Sequence, residues 1–452
     1  MKIAIVGSGI SGLAAAHALQ GRADITLFEA GPYFGGHTHT VDLTLPTAQG
    51  PVTHGVDTGF LVFNERTYPK LIELFAELGV KTAQSDMSFS VQAPGAQAGQ
   101  ALEWSGVSLN TVFAQRANLI NPHFLRMLRD VLRFNKLATR IATEGPDADL
   151  MQPLAQFLAQ GRFSDAFRDW YLLPMLGCIW SCPTNQMLQF PVATMIRFCH
   201  NHGLLQVTNR PQWWTVDGGA RHYVSKILAH VRDKRLNTPV QLIERDTNGV
   251  RITSHWQTER YDKVVLACHS DQALTLLADP SEQERATLGA IRYQPNRAVL
   301  HTDTSVLPKN QRAWAAWNYQ RPPSVATALP DPSSHAHHTQ NNTSGHNASK
   351  APPSNTVCLH YLLNRLQPLP FAHPVLVSLN PLTAIDPRLV HGVFDYAHPV
   401  FDVAAIEAQR QVRRLQGQQH SYFCGAWTGY GFHEDGLKSG LAVAKLLQAT
   451  LI

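Results

Sequence analysis

Three glycines, in the pattern Gly7-x-Gly9-x-x-Gly12, stand between a short apolar run and an alanine-rich stretch. This constrains the chain more than any other feature. Lys2 to Val6 is β-rich and apolar, as a buried parallel strand should be. Ser11 to Gln20 reads as a helix, and Asp24 to Glu29 as a second strand. Together they make a βαβ unit. Gly7 permits the tight turn, Gly9 lets backbone approach a pyrophosphate, and Gly12 lets the helix lie close on the strand. The helix N-terminus, with Ile10 and Ser11, offers free N–H groups and a partial positive charge. Glu29 closes the second strand, where a carboxylate accepts ribose hydroxyls and repels a 2′-phosphate. A glycine turn without ligand is the plain alternative. The same opening stretch looks superficially like a secretory leader, but the glycine spacing and the early acids Asp24 and Glu29 favour strand and helix.

The 452 residues are 44% hydrophobic and 16% charged, enough for a large core and one to three domains. A net charge of +5 does not single out a nucleic-acid binder, though a basic patch facing anionic lipid stays open. The six cysteines make no C-x-x-C pair and read as reduced, buried thiols of a cytoplasmic protein. Zinc held by Cys178 and Cys182 is the minor alternative, and no metal is expected. No apolar run reaches the roughly 18 residues that cross a bilayer, so a soluble protein, or one peripheral to the inner membrane, is expected.

The expected class is α/β: a Rossmann-like dinucleotide domain of glutathione-reductase type with an inserted α+β substrate or cap domain. Residues 1–75 form its first part. Residues 76–212 read as a mainly helical cap, with helices over 118–141, 152–161, 165–176 and 190–200. Strands at 240–244, 250–253 and 263–267 place the second nucleotide-binding part at 213–290. Residues 291–395 read as substrate-domain strands, interrupted at 322–355 by a Pro-, Ser-, Asn- and His-rich insertion expected to be disordered. The third part, 396–452, ends in an apolar helix at 437–447.

Gly35-Gly36, soon after Glu29, lets a second loop pass close to the pyrophosphate, a hint of FAD. At EAGPYFGG, VDTGF, WWTVDGGARHYV, YDKVVLAC and FCGAWTGYGFHEDGLKSGLAVAKLL the chain resembles the flavin-containing amine oxidase and phytoene desaturase superfamily. Within it, phrases such as GFLVFNERTYP, YAHPVF and GFHEDGLKSGL resemble a bacterial group known only as predicted NAD/FAD-binding proteins. That group is commonly encoded beside cyclopropane-fatty-acid-synthase-like enzymes. The resemblance implies FAD as cofactor, with Gly7, Gly9, Ile10, Ser11, Gly12, Glu29, Ala30, Gly35, Gly36, His37 and Thr38 at one end. It adds Asp57, Thr58, Gly59, Arg221, Val240 and Gln241, then Gly425, Ala426, Asp435, Gly436 and Ser439 from the closing motif. The chain departs from the family at His37, where Arg is usual, and at Ala426, where an acidic residue is usual. No counterpart of the aromatic pair that frames an amine is evident.

Trp427, Tyr430, His433 and Glu434 are the candidates for chemistry; for His433 and Glu434 this means proton handling or contact with the isoalloxazine edge. A structural role in the turn is the alternative. Asp57 and Gly59 either touch the cofactor or form a turn. Arg221 either neutralises a phosphate or makes a surface ion pair. Arg126 to Arg140 is a basic amphipathic stretch, either resting on a membrane or solvated. Trp170, Tyr171, Leu172, Leu173, Met175, Trp180 and Phe190 suit a lipid tunnel or an ordinary core. The resulting expectation is a FAD-dependent oxidoreductase moving hydride from an apolar substrate, such as a fatty acyl chain, to flavin N5. Amine oxidation and a non-catalytic flavin-bearing partner of a lipid-modifying methyltransferase are the alternatives.

Overall fold

The computed structural model describes residues 1–97, 100–144, 152–206, 210–255, 257–322 and 356–450. The insertion expected at 322–355 lies, beyond its first residue, outside them. Distant stretches of chain build one five-stranded parallel sheet. Its spatial order is Asp233–Arg235, Asp24–Phe28, Lys2–Val6, Lys263–Leu266 and Ser421–Phe423. Ile3, Ile5, Leu27, Val264 and Val265 are fully buried, which is why these strands read as continuous apolar runs rather than alternating ones.

The first helix, Ile10–Leu19, and the last, His433–Gln448, pack directly on each other. A β-carbon on Gly440 would meet the Ser11 carbonyl at 2.1 Å, and one on Gly436 would meet Ile10 Cγ2 at 2.7 Å. Gln448 donates to the Ala18 carbonyl at 2.7 Å, so the two helices stay in register along their length. The last helix begins four residues before its apolar run. Asp435 accepts the Phe432 N–H at 3.0 Å and caps it there.

A second, seven-stranded sheet runs Val390–Val400, Arg292–His301, Leu376–Leu379, Cys358–Leu362, Trp317–Gln320, Phe89–Gln97 and Gln100–Ser105. The pair at Phe89–Ser105 differs from the mainly helical reading of that region. Pro94 and Gly95 sit where the hairpin register shifts, between Ala93 and Gln97, and they mask the alternation that marks a strand. The expected helices appear as Pro122–Glu144, Leu154–Gln160 and Val192–Asn201. The expected helix 165–176 is broken into Asp165–Phe167, a wider turn Arg168–Leu172, and Leu173–Trp180. Among the described residues no helix is long and apolar enough to cross a membrane.

Candidate active site

A cavity of about 750 Å³ runs between the two sheets, within the size range of cofactor and ligand sites. At one end it is walled by Gly7 to Ser11, Glu29, Ala30 and the Gly35–His37 loop. Gly7 adopts φ +103°, open to glycine alone, and a β-carbon on Gly12 would meet the Gly7 carbonyl at 2.0 Å. Gly36, at φ +59°, is less tightly set: its β-carbon would lie 3.2 Å from Gly9 Cα. The helix that starts after Gly9 has no side-chain cap, so its first N–H groups face the cavity unclaimed by side chains.

Glu29 is tied to this turn. Its carboxylate accepts the Ser8 hydroxyl at 2.5 Å, the Ser8 N–H at 3.1 Å and the Gly31 N–H at 2.8 Å. Farther along, the wall passes to Ala267–His269, Gly59–Val62, Ala397–Pro399 and the closing motif Ala426, Trp427 and Tyr430–His433. The far end lies under the helical elements and the second sheet. It is lined by Met87, Ile179, Trp180, Phe198, Leu204, Trp213, Trp317 and Tyr361.

No Lys or Arg appears among the described residues lining this space. Histidines do. His37 stands 5.3 Å from His398 and 6.4 Å from His269, ring centre to ring centre. His269 stacks on Tyr293 at 4.2 Å. His398 Nδ1 accepts from the Asn296 side-chain amide at 2.8 Å, which leaves Nε2 to carry the proton of the neutral ring. Burial, then each other's positive charge, holds His37 and His269 down at about 4 and His398 at about 3. His37 Nε2 is buried with no hydrogen-bond partner. His433 is stacked on Phe60 at 3.9 Å, and its Nε2 is bound by the Tyr223 hydroxyl at 2.7 Å and Thr38 at 3.2 Å. Burial, with His37 nearby, depresses it to about 3.

Residues 10–448 match the family model described as flavin containing amine oxidoreductase. The chain belongs to that family. It is a FAD-dependent oxidoreductase.

Solved structures agree at the level of fold. Cyclohexylamine oxidase from Brevibacterium oxydans superposes with a TM-score of 0.62 at 17% identity, over 99% of each chain. A fatty acid isomerase from P. acnes that produces CLA gives 0.62 at 16% identity, over 100% of this chain and 98% of its own. Putrescine oxidase bound to putrescine gives 0.62 at 16%, over 99% of each. No curated protein matches the sequence.

The residues present fit FAD. A glycine turn and an uncapped helix start suit a pyrophosphate, Glu29 suits a ribose, and the orphaned His37 Nε2 awaits a polar partner. Of the residues expected to bind it, Gly7, Gly9, Ile10, Ser11, Glu29, Ala30, Gly35, Gly36, His37, Gly59, Val240 and Ala426 line the cavity. Trp427, Tyr430 and His433 line it too.

Others lie elsewhere. Asp57 is 1% exposed, and its carboxylate accepts the Ala220 N–H at 3.0 Å and the Thr40 hydroxyl. These bonds tie the end of strand Gly50–Asp57 to the start of helix Arg221–Leu228, and burial raises the carboxyl to about 6. Arg221 pairs with Asp42 at 2.5 Å, the surface ion pair. Gln241 points outward and is exposed. Thr58 binds Tyr396 at 2.8 Å and His39 at 3.1 Å, while Thr38 serves Tyr223 and His433. Gly12, Gly425, Gly436 and Ser439 shape the wall from behind; Ser439 Oγ accepts the Gly425 N–H at 2.9 Å.

Glu434 corrects the expectation of proton handling most clearly. Its two oxygens accept the Lys70 and Leu71 N–H groups at 3.0 and 2.9 Å, capping helix Pro69–Glu77, and Lys438 lies at 3.1 Å. Asp435 is likewise a cap rather than a cavity group. His269 and His398 escaped the sequence reading. The one signal was that His398 lies inside YAHPVF and that His269 directly follows YDKVVLAC, phrases that carry the family resemblance.

Proposed function

We propose that this oxidoreductase removes hydride from a carbon of an apolar chain, with a long acyl group as the substrate class. The observation that carries the reading is the composition of the far chamber. Both carboxylates of the cavity wall, Glu29 and Asp271, stand among nucleotide-end segments. The described residues that line the far chamber, Met87, Trp180, Phe198, Leu204, Trp213 and Trp317 among them, carry no formal charge. An ammonium substrate would lose its water there without an anion to replace it, whereas an alkyl chain loses nothing.

The bound flavin supplies the hydride acceptor. The protein's own work is to hold the chain and keep water out. Phe198 stacks on Phe432 at 4.8 Å and on His202 at 3.8 Å, and Trp180 donates to the Tyr430 carbonyl at 3.3 Å. These contacts tie the closing motif to the helical elements above it. They fix the wall against which an alkyl chain lies. His433 stays neutral, and its Nε2 is held by Tyr223.

The test is anaerobic mixing of FAD-loaded protein with long-chain fatty acids and acyl esters, followed by flavin absorbance and mass analysis of the lipid. Bleaching, or a shifted or added double bond in the lipid, is expected. Bleaching only by polyamines or aromatic amines, with peroxide released in air, would place the protein with the amine oxidases instead.

A further inference from the structure

One surface of the molecule breaks the rule that large apolar side chains turn inward. Ten large hydrophobic residues are exposed among the described residues, and six of them fall between 107 and 132. They are Val107, Leu109, Leu119, Ile120, Leu125 and Leu132; Ile120 is 85% exposed and Leu109 79%. Leu119 and Ile120 sit on the turn that enters helix Pro122–Glu144.

That helix is firmly seated. Phe124, Met127, Phe134 and Ala138 are fully buried on its inner side. Its outer side presents Leu125, Arg126, Arg129, Leu132, Arg133, Lys136 and Arg140 at helical spacing. Arg133 lies over the Phe163 ring and near Asp130. Arg126, Arg129, Lys136 and Arg140 make no ion pair among the described residues. The helix's internal carboxylate, Asp130, is buried against Ser164. Residues 107–144 carry six cationic side chains against two carboxylates, in a chain whose whole excess is +5.

We infer that this face docks on an anionic lipid surface. Isolated leucines need no explanation, but bulky side chains at the tip of a turn beside unpaired cations match an interfacial helix. The apolar groups enter the acyl boundary while Arg and Lys stay with the head groups. A second copy of the chain would bring like charges together. A nucleic-acid backbone would satisfy the cations and leave Leu119, Ile120 and Leu132 in water. The inference rests on this surface alone and holds whatever the substrate is.

Flotation of the full-length FAD-loaded protein tests it. One set of vesicles is phosphatidylcholine and phosphatidylglycerol in equal parts, the other phosphatidylcholine alone. The protein is expected to float with the anionic vesicles, to stay behind with the neutral ones, and to be released by high salt. An Ile120→Ser, Leu132→Ser variant and an Arg126→Glu, Arg129→Glu variant should each lose roughly ten-fold or more in partition, with flavin content and circular dichroism unchanged. Recovery in the aqueous phase with both vesicles overturns the inference. So does flotation of the variants equal to the parent, retention on duplex DNA without flotation, or a dimer that Ile120→Ser dissociates.

Discussion

Glu434 shows how far a side chain's neighbours decide its work. A carboxylate next to His433 in an aromatic turn invites a proton-transfer role, yet both its oxygens are fixed on the backbone of Pro69–Glu77. Glu434→Ala is therefore expected to lower stability by about 1–3 kcal/mol, because the buried Leu71 N–H and the part-buried Lys70 N–H lose their acceptor. Urea unfolding measures it, and turnover per bound flavin should be little changed; intact stability with lost turnover would restore the catalytic reading. His37 makes the opposite case. It faces the cavity with a free Nε2, held neutral by burial near His269, His398, His433 and Tyr396. With no Lys or Arg on the wall, an anionic pyrophosphate would draw a proton onto these imidazoles. FAD should thus bind more tightly as the pH falls from about 8 to 6, with proton uptake visible by calorimetry in buffers of different ionisation heat. His37→Ala should flatten that dependence, and a pH-independent affinity of the parent protein would refute it. The glycines and Glu29 were legible in sequence because their roles are local. The three-histidine cluster was not, since it gathers a loop residue, a helix cap and a strand residue from three distant stretches of chain.

Among the elements, the pairing of first and last helices does most to build the site. Gly440→Ala would drive a methyl into the Ser11 carbonyl and push the helices apart. The expected cost is about 1–3 kcal/mol, with weakened FAD retention, measured by thermal unfolding and by flavin content after gel filtration. Unchanged values in both would mean that the helices are not in this contact. The elements that local pattern specifies were readable: Lys2–Val6, Asp24–Phe28, Lys263–Leu266 and the helices Pro122–Glu144 and Val192–Asn201. The hairpin Phe89–Ser105 was not. Its strand period is interrupted by Pro94 and Gly95, and its place is fixed by pairing with Trp317–Gln320, more than two hundred residues away.

At the scale of the molecule, the many buried neutral histidines set the response to acid. His37, His202, His269, His301, His360, His398 and His433 are each held at about 3 to 4. Unfolded, they take up protons near 6.5, before the folded protein does. Their contribution to stability is complete above about pH 6.5 and is lost as the pH falls toward 4, by roughly 1.4 kcal/mol per pH unit for each proton. Asp57 and Asp435, raised to about 6, act in the opposite sense but are outnumbered. The melting temperature of the apoprotein should hold from pH 8 to 7 and drop steeply below about 6; a flat profile to pH 5 would mean these rings are not buried. The α/β class and the meeting of both chain ends were legible because glycine motifs mark each end. The sharing of one sheet by strands Phe89–Gln97 and Gln100–Ser105 with Arg292–His301, Trp317–Gln320, Cys358–Leu362, Leu376–Leu379 and Val390–Val400 was not, for no local signal announces a partner so distant. All of this chemistry depends on the opening turn and the closing helix together holding one FAD. That is tested most directly by mass spectrometry and absorbance of the cofactor released from the purified full-length protein. One FAD per chain, retained by the parent and lost from Gly440→Leu, is the predicted result. A colourless protein that takes up no FAD on reconstitution would contradict it.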